Sequence, residues 1–219
     1  MIQSIVFDIG GVLASDIWET MFLDPNKGLA KHFGLDPNAV HKFGLGLWEQ
    51  YAYLDACCEE EVDFLEEDYW QRFMDEFDIS EQLDFFIQKT YEFIIPVKGM
   101  MGLVEQLAPK YELGICSNNS EFFHTKLAEV LGLYKYFDPK KEILSTKIGA
   151  SKTSPNYEMF KALDKALDTP KENVLFVDDR QKNIERAIEY GFNAVLLPQA
   201  SDLGEEYLRR FFKMSNIKI

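Results

Sequence analysis

Three short apolar runs in this chain each stop at a polar residue, and no other pattern narrows its fold as far. Ile5-Val6-Phe7 stops at Asp8, Leu113-Gly114-Ile115-Cys116 at Ser117-Asn118, and Val174-Leu175-Phe176-Val177 at Asp178-Asp179. Apolar runs of this length, without a polar alternation, read as strands buried on both faces. Residues 2–8 form the first. Ile143-Leu144-Ser145 and Ala194-Val195-Leu196-Leu197 supply two more candidates. Between them lie helical patterns over Met100–Leu107, broken at Pro109, and over Glu121–Leu131, stopped by Gly132. Others run over Pro155–Leu167, over Lys182–Tyr190, closed by Gly191, and over Asp202–Lys213. Strands alternating with helices of about ten residues predict βαβ units, a parallel sheet and right-handed crossovers.

Residues 16–95 have a different composition. They hold nineteen Asp/Glu against five Lys/Arg, which equals the whole net charge of -14, while the rest of the chain carries eighteen of each sign. Trp18, Phe22, Leu23, Phe33, Phe43, Leu47, Trp48, Tyr51 and Leu54 stand among these charges at helical spacings. Phe64-Leu65, Tyr69-Trp70, Phe73-Met74 and Phe77 continue an amphipathic stripe, and Ser80-Glu81 marks another helix start before Leu83, Phe86 and Ile87. The expectation is an insert of four or five helices whose aromatic residues are core packing. The run Glu59-Glu60-Glu61 with Asp63, Glu66, Glu67 and Asp68 reads as a solvated helix face. The expected fold is therefore α/β, with a Rossmann-like parallel sheet core (1–15 and 96–219) and an inserted, mainly helical cap domain (16–95).

The same charge excess opposes nucleic acid or an anionic membrane as partners. No apolar run approaches the ~20 residues of a membrane helix. The chain enters a strand within a few residues of Met1, which leaves no room for a signal peptide. Its three cysteines are Cys57, Cys58 and Cys116; two are adjacent, a poor geometry for pairing. That usage suits a reducing compartment, so the expected setting is cytoplasmic. The sequence sets no oligomeric state.

Consecutive parallel strands point the same way, so the polar strand ends converge on one crevice at the carboxyl edge of the sheet. Asp8, Ser117-Asn118 and Asp178-Asp179 meet there, and a loop ahead of the helix at Pro155 adds Lys152. Several carboxylates together call for a hard cation, Mg²⁺ above all. The hydroxyl and the ammonium are donors for anionic oxygens. In outline this is a site for a phosphate and a Mg²⁺ ion.

The ordered motifs Phe7-Asp8-Ile9-Gly10-Gly11-Val12, Cys116-Ser117-Asn118, Lys152-Thr153-Ser154-Pro155 and Phe176-Val177-Asp178-Asp179-Arg180 with Asn183 resemble those of the haloacid dehalogenase-like (HAD) hydrolase superfamily. The placement of the helical insert resembles its helical (C1-type) cap subgroup, and the first motif resembles its sugar-phosphate phosphatases. The resemblance implies a Mg²⁺-dependent phosphatase of a small phosphorylated metabolite. Asp8 would be the nucleophile that forms an aspartyl-phosphate. Asp8, the Gly10 carbonyl and Asp179, with or without Asp178, would hold Mg²⁺. Ser117 and Asn118 would bind phosphoryl oxygens, Lys152 would neutralise charge on the nucleophile and the transferring group, and Asn183 would support the metal loop. The cap would close over the substrate.

One position departs from the pattern. Most phosphatases of the superfamily place a second Asp, the general acid, two residues after the nucleophile, and here that residue is Gly10. General acids contribute about 10²–10⁴-fold. Three readings follow: the acid comes from Asp16, the cap or water; the leaving group is good enough to depart unaided; or the chain is an impaired or non-catalytic binding protein. The superfamily's dehalogenases also lack that Asp, but they resemble this chain less. Their fourth motif carries Ser and Asn in place of an Asp pair, and they use an Arg early in the cap, where residues 16–95 offer Arg72 alone. Lys147 competes with Lys152, which has the family's spacing to Pro155. His124 reads as a surface or capping residue, and Cys116 as a buried strand residue.

Overall fold

A computed structural model describes residues 1–52, 65–198 and 203–219 of the chain. Leu54, Cys57, Cys58, the run from Glu59 to Asp63, Phe64 and Asp202 lie outside the described residues. Five parallel strands form one sheet in the order β3-β2-β1-β4-β5. They are β1 (Ser4–Phe7), β2 (Glu112–Ser117), β3 (Glu142–Leu144), β4 (Val174–Asp178) and β5 (Asn193–Leu196). In register, Phe7 pairs with Ile115 on one side and Val177 on the other, so β1, β2 and β4 end within two residues of one another. The strand order reverses direction at β1, between β2 and β4, which is where open α/β sheets place their ligand crevice.

Alternation along the strands splits the core into two layers. Ile5, Phe7, Ile115, Leu175 and Val177 face one side. There they meet Leu103 and Leu107 of α6 (Met100–Leu107), Phe123 and Leu127 of α7 (Glu121–Leu131), and Leu208 and Phe212 of α11 (Gly204–Met214). Val6, Cys116, Val174 and Phe176 face the other side. Their partners are Met159, Phe160 and Leu163 of α9 (Glu158–Ala166) and Ile184 and Ala187 of α10 (Gln181–Tyr190). A single turn, α8 (Ser145–Ile148), follows β3.

Between β1 and α6 the chain makes five helices among the described residues: α1 (Ile17–Leu23), α2 (Leu29–Phe33), α3 (Pro37–Ala52), α4 (Glu66–Phe77) and α5 (Leu83–Phe93). The outgoing and returning segments run side by side, with Ser15 N donating to Ile95 O at 2.8 Å and Val97 N to Leu13 O at 2.9 Å. The aromatic stripes pack inward, as their spacing predicts. Trp70 stacks on Phe86 at 4.8 Å and Phe22 on Phe73 at 5.6 Å. Trp18 meets Phe123 of α7 edge-on at 4.5 Å, so the insert and the sheet share one continuous apolar core. Lys126 of α7 pairs with Glu66 of α4, and Tyr91 of α5 donates to Glu129 of α7 at 2.5 Å.

The structure differs from the sequence expectation at two helix starts; the one marked by Ser80-Glu81 falls at Leu83. The helix expected from Pro155 begins at Glu158, because Ser151–Tyr157 is spent on turns and Tyr157 adopts a left-handed conformation (φ 61°). Among the described residues, no helix is long and apolar enough to cross a membrane.

Candidate active site

The Asp8 loop is built by its own backbone. Val12, Leu13 and Ala14 all donate N–H groups to Ile9 O, at 3.2, 2.8 and 3.0 Å. This tight turn needs a left-handed residue, and Gly11 supplies it at φ +72°. Asp8 N donates to Val177 O at 2.9 Å, which ties the loop to the end of β4. Asp8 is then almost fully buried at the carboxyl edge, with Oδ1 accepting from Ile9 N at 2.7 Å.

Lys152 is the central cation. Its Nζ lies 2.6 Å from Asp8 Oδ2 and 2.6 Å from Asp178 Oδ2, and its side chain is 1% exposed. Its backbone N donates to Asn118 Oδ1 at 2.9 Å, so the Asn118 side chain holds the Lys152 loop. Asp178 is fully buried and fully engaged. Oδ1 accepts from Arg180 N at 2.8 Å and Asn183 Nδ2 at 2.9 Å, and Oδ2 accepts from Lys152 Nζ and from Asn183 Nδ2 at 3.0 Å. Asp179 is different: its Oδ1 is buried with no hydrogen-bond partner. Asp8, Asp178 and Asp179 each offer an oxygen within 4.8 Å of the others.

Three carboxylates thus surround one ammonium, and the charges do not balance. Burial pushes the Asp179 carboxyl up to about 6, with the charge of Asp8 acting the same way. Burial also drives Asp178 upward, against the pull of Lys152. Burial alone would lower the pKa of Lys152, but the charges of Asp178 and Asp8 outweigh it and raise it, so the side chain stays an ammonium. An orphaned buried carboxylate oxygen beside two further carboxylates fits a hard divalent cation of the Mg²⁺ type, which is bound by oxygen alone. Asp8, Asp178 and Asp179 are the carboxylates grouped closely enough to offer it oxygens.

The cleft above these groups opens to solvent and leaves a cavity of about 60 Å³. Asp8, Gly10, Ser117, Asn118, Lys152 and Asn183 line its floor, and Ile17, Trp18, Trp48, Phe123 and Leu127 line an apolar wall. Asp16 and Arg180 stand at the rim, with a carboxylate–guanidinium distance of 3.7 Å.

The structure brings together the residues expected at the site: Asp8, Gly10, Ser117, Asn118, Lys152, Asp178, Asp179 and Asn183. Lys147 is not among them; it is half exposed and pairs with Glu121 at 2.9 Å. His124 is not a surface residue. It is buried, with Nε2 2.9 Å from Glu142, because the first turn of α7 packs over the start of β3. Sequence reasoning missed Arg180, Trp18, Trp48 and Phe123 as cleft residues. Only Arg180, a charge directly after the strand-end Asp pair, carried a local signal.

The chain belongs to the haloacid dehalogenase-like hydrolases, a family whose sequence profile matches residues 2–191. Among solved structures it is similar to a HAD family enzyme of Bacteroides thetaiotaomicron in complex with magnesium and inorganic phosphate. The identity is 17%, over 94% of this chain and 100% of that one, with a TM-score of 0.68. It is similar also to the L-2-haloacid dehalogenase of Xanthobacter autotrophicus with chloropropionic acid covalently bound. There the identity is 19%, over 100% of this chain and 85% of that one, with a TM-score of 0.67. At these identities the likeness is one of fold. A search of curated protein sequences finds no match.

Proposed function

We propose that this chain is a Mg²⁺-dependent phosphatase of a small phosphorylated metabolite, a sugar phosphate among the candidates, acting through an aspartyl-phosphate on Asp8. The observation that carries the reading is the buried, partnerless Oδ1 of Asp179 beside the carboxylates of Asp8 and Asp178. A bound Mg²⁺, held by Asp8, Gly10 O and Asp179, would supply positive charge for the phosphoryl oxygens. Asp178, whose oxygens are already satisfied, is the organiser of Lys152 and Asn183 and not a direct ligand.

The chain's own residues then divide the work. The Asp8 carboxylate attacks phosphorus, and the bond to the leaving oxygen breaks as the aspartyl-phosphate, an acyl phosphate, forms. Lys152, fixed between Asp8 and Asp178, holds the Asp8 carboxylate in place and faces the phosphoryl oxygens with Ser117. Water hydrolyses this acyl phosphate, which releases phosphate and restores Asp8. The buried wall of Trp18, Trp48 and Phe123 limits water near the reacting groups and packs the leaving group. Gly10 presents no acid, so the leaving oxygen takes its proton from water or from Asp16 at the rim.

The domain division at 16 and 95 belongs to the same proposal, with the helical insert as the cap. A second reading, metal-independent carbon–halogen hydrolysis, is favoured by that aromatic wall and by Gly10. Phosphate release from p-nitrophenyl phosphate and halide release from a 2-haloacid, each with and without Mg²⁺, separate the two. The expected result is Mg²⁺-dependent phosphate release that Asp8→Asn abolishes. Halide release without metal, or phosphate release that survives Asp8→Asn, overturns the proposal.

A further inference from the structure

Lys152 must hold its Nζ between two carboxylates, yet it rides on a turn and not on a strand. Within the turn 151–157, Ser151 N donates to Ser154 Oγ at 2.9 Å, Thr153 N to Ser151 Oγ at 3.3 Å, Ser154 N to Ser151 O at 3.1 Å and Tyr157 N to Ser154 O at 3.3 Å. It ends on Tyr157, a bulky residue in the left-handed region at φ 61°, ψ 32°. Such a residue carries about 1–2 kcal/mol of strain, and it persists only where the surroundings over-determine it.

Asn118 holds the start of this turn at Lys152 N and the Tyr190 ring packs on Tyr157, and the side chain that grips the 154–157 backbone is on α10. Arg186 donates from Nη2 to Ser154 O at 2.7 Å and to Pro155 O at 3.0 Å. The same guanidinium lies 3.8 Å from the centre of the Tyr157 ring. Its other arm meets Glu189 at 2.7 Å, and the Tyr157 hydroxyl also donates to Glu189, at 3.2 Å. The planar fork suits this arrangement; a lysine would replace it with a point charge that lacks the flat face and the second arm.

Arg186 follows Asn183 by three residues, so both project from one face of α10. Asn183 grips Asp178, and Arg186 grips the turn that carries Lys152. One helix face therefore holds both partners of the Lys152–Asp178 ion pair. We propose that Arg186 is a positioning residue that sets Lys152 against Asp8 by clamping the 154–157 turn to α10. The kinetic part of this inference rests on the phosphatase reading; the clamp itself does not.

The test uses Arg186→Met and Arg186→Lys in the full chain, with Arg209→Met as the control for losing a helix Arg–Glu pair elsewhere. Hydrogen exchange by mass spectrometry reads the clamp without any turnover. Peptides covering 150–158 are expected to exchange faster in Arg186→Met, while those covering β1 and β4 stay protected. With p-nitrophenyl phosphate and Mg²⁺, kcat is expected to fall about 10–100-fold, the scale of a displacement near 1 Å, with KM within about twofold. Arg186→Lys should fall between, and added guanidinium should restore part of the activity of Arg186→Met but none in the control. Unchanged exchange over 150–158 overturns the clamp. Faster exchange with unaltered kcat overturns the positioning role. If the unmutated chain releases no phosphate, the phosphatase reading falls, and the exchange result alone decides the clamp.

Discussion

Gly10 and Gly11 are adjacent, equally small, and expected to respond oppositely to the same methyl group. A Cβ built on Gly11 would overlap the Asp179 carboxylate, standing 2.6 Å from its Cγ and 3.2 Å from its Cβ. The backbone there is also left-handed, at φ +72°. Alanine pays about 1–2 kcal/mol for that conformation, and pushing Asp179 aside adds about 1 kcal/mol of rotamer strain. The sum is about 2–3 kcal/mol, or roughly 5–10 °C in Tm at about 2–4 °C per kcal/mol for a chain of this size. Gly10 has no atom within 4 Å of its added Cβ and lies outside the left-handed region. Gly10→Ala is therefore expected to leave Tm unchanged or raise it slightly, by up to about 1 kcal/mol through the unfolded state. Thermal unfolding by circular dichroism in EDTA measures the fold alone. A Mg²⁺ titration of Tm then measures the site, and Gly11→Ala is expected to lose most of the metal-induced shift because Asp179 is displaced. A Gly11→Ala variant as stable as the parent, or equal losses at the two positions, refutes the steric argument.

Two further outcomes follow from buried charge. Lys152→Met leaves Asp8 and Asp178 facing each other without their ammonium, and breaking a buried pair of this kind costs about 3–5 kcal/mol; saturating Mg²⁺ should restore more stability to the variant than to the parent, and equal Mg²⁺ shifts by calorimetry would count against the charge imbalance. Glu112, at the opposite end of the sheet, is held at about 2 against an ordinary 4.5: burial would raise it, but Lys141, Ser4, Asp168 N and Thr169 outweigh that. A lowered carboxylate stabilises above its unfolded pKa and loses that stabilisation as pH falls through its folded pKa. Glu112→Gln should therefore cost about 1–3 kcal/mol near neutrality, after allowing for partial exposure, and the gap should close as pH falls from about 5 to 2. A pH-independent gap in urea midpoints would show that shape, not charge, holds this network.

What the sequence determined by itself was the sheet edge. A side chain at the end of a buried parallel strand has one place to go, so Asp8, Ser117 and Asp178-Asp179 could be placed on one crevice from period and strand direction alone. The stops at Gly132 and Gly191 were equally local, because a left-handed cap needs only its own backbone. Tertiary structure decided the rest. Nothing in the run Asp178-Asp179 tells which carboxylate is consumed by hydrogen bonds and which keeps a bare oxygen; that depends on Asn183, Arg180 N and Lys152 arriving from three directions. The aromatic stripe announced burial but not that Trp18 and Trp48 would also line the cleft, since periodicity fixes a face and not the partner it meets. No sequence motif marks Arg186. Only the packing of α10 against the 151–157 turn puts its guanidinium on the carbonyls of Ser154 and Pro155, where it meets the loop of Lys152.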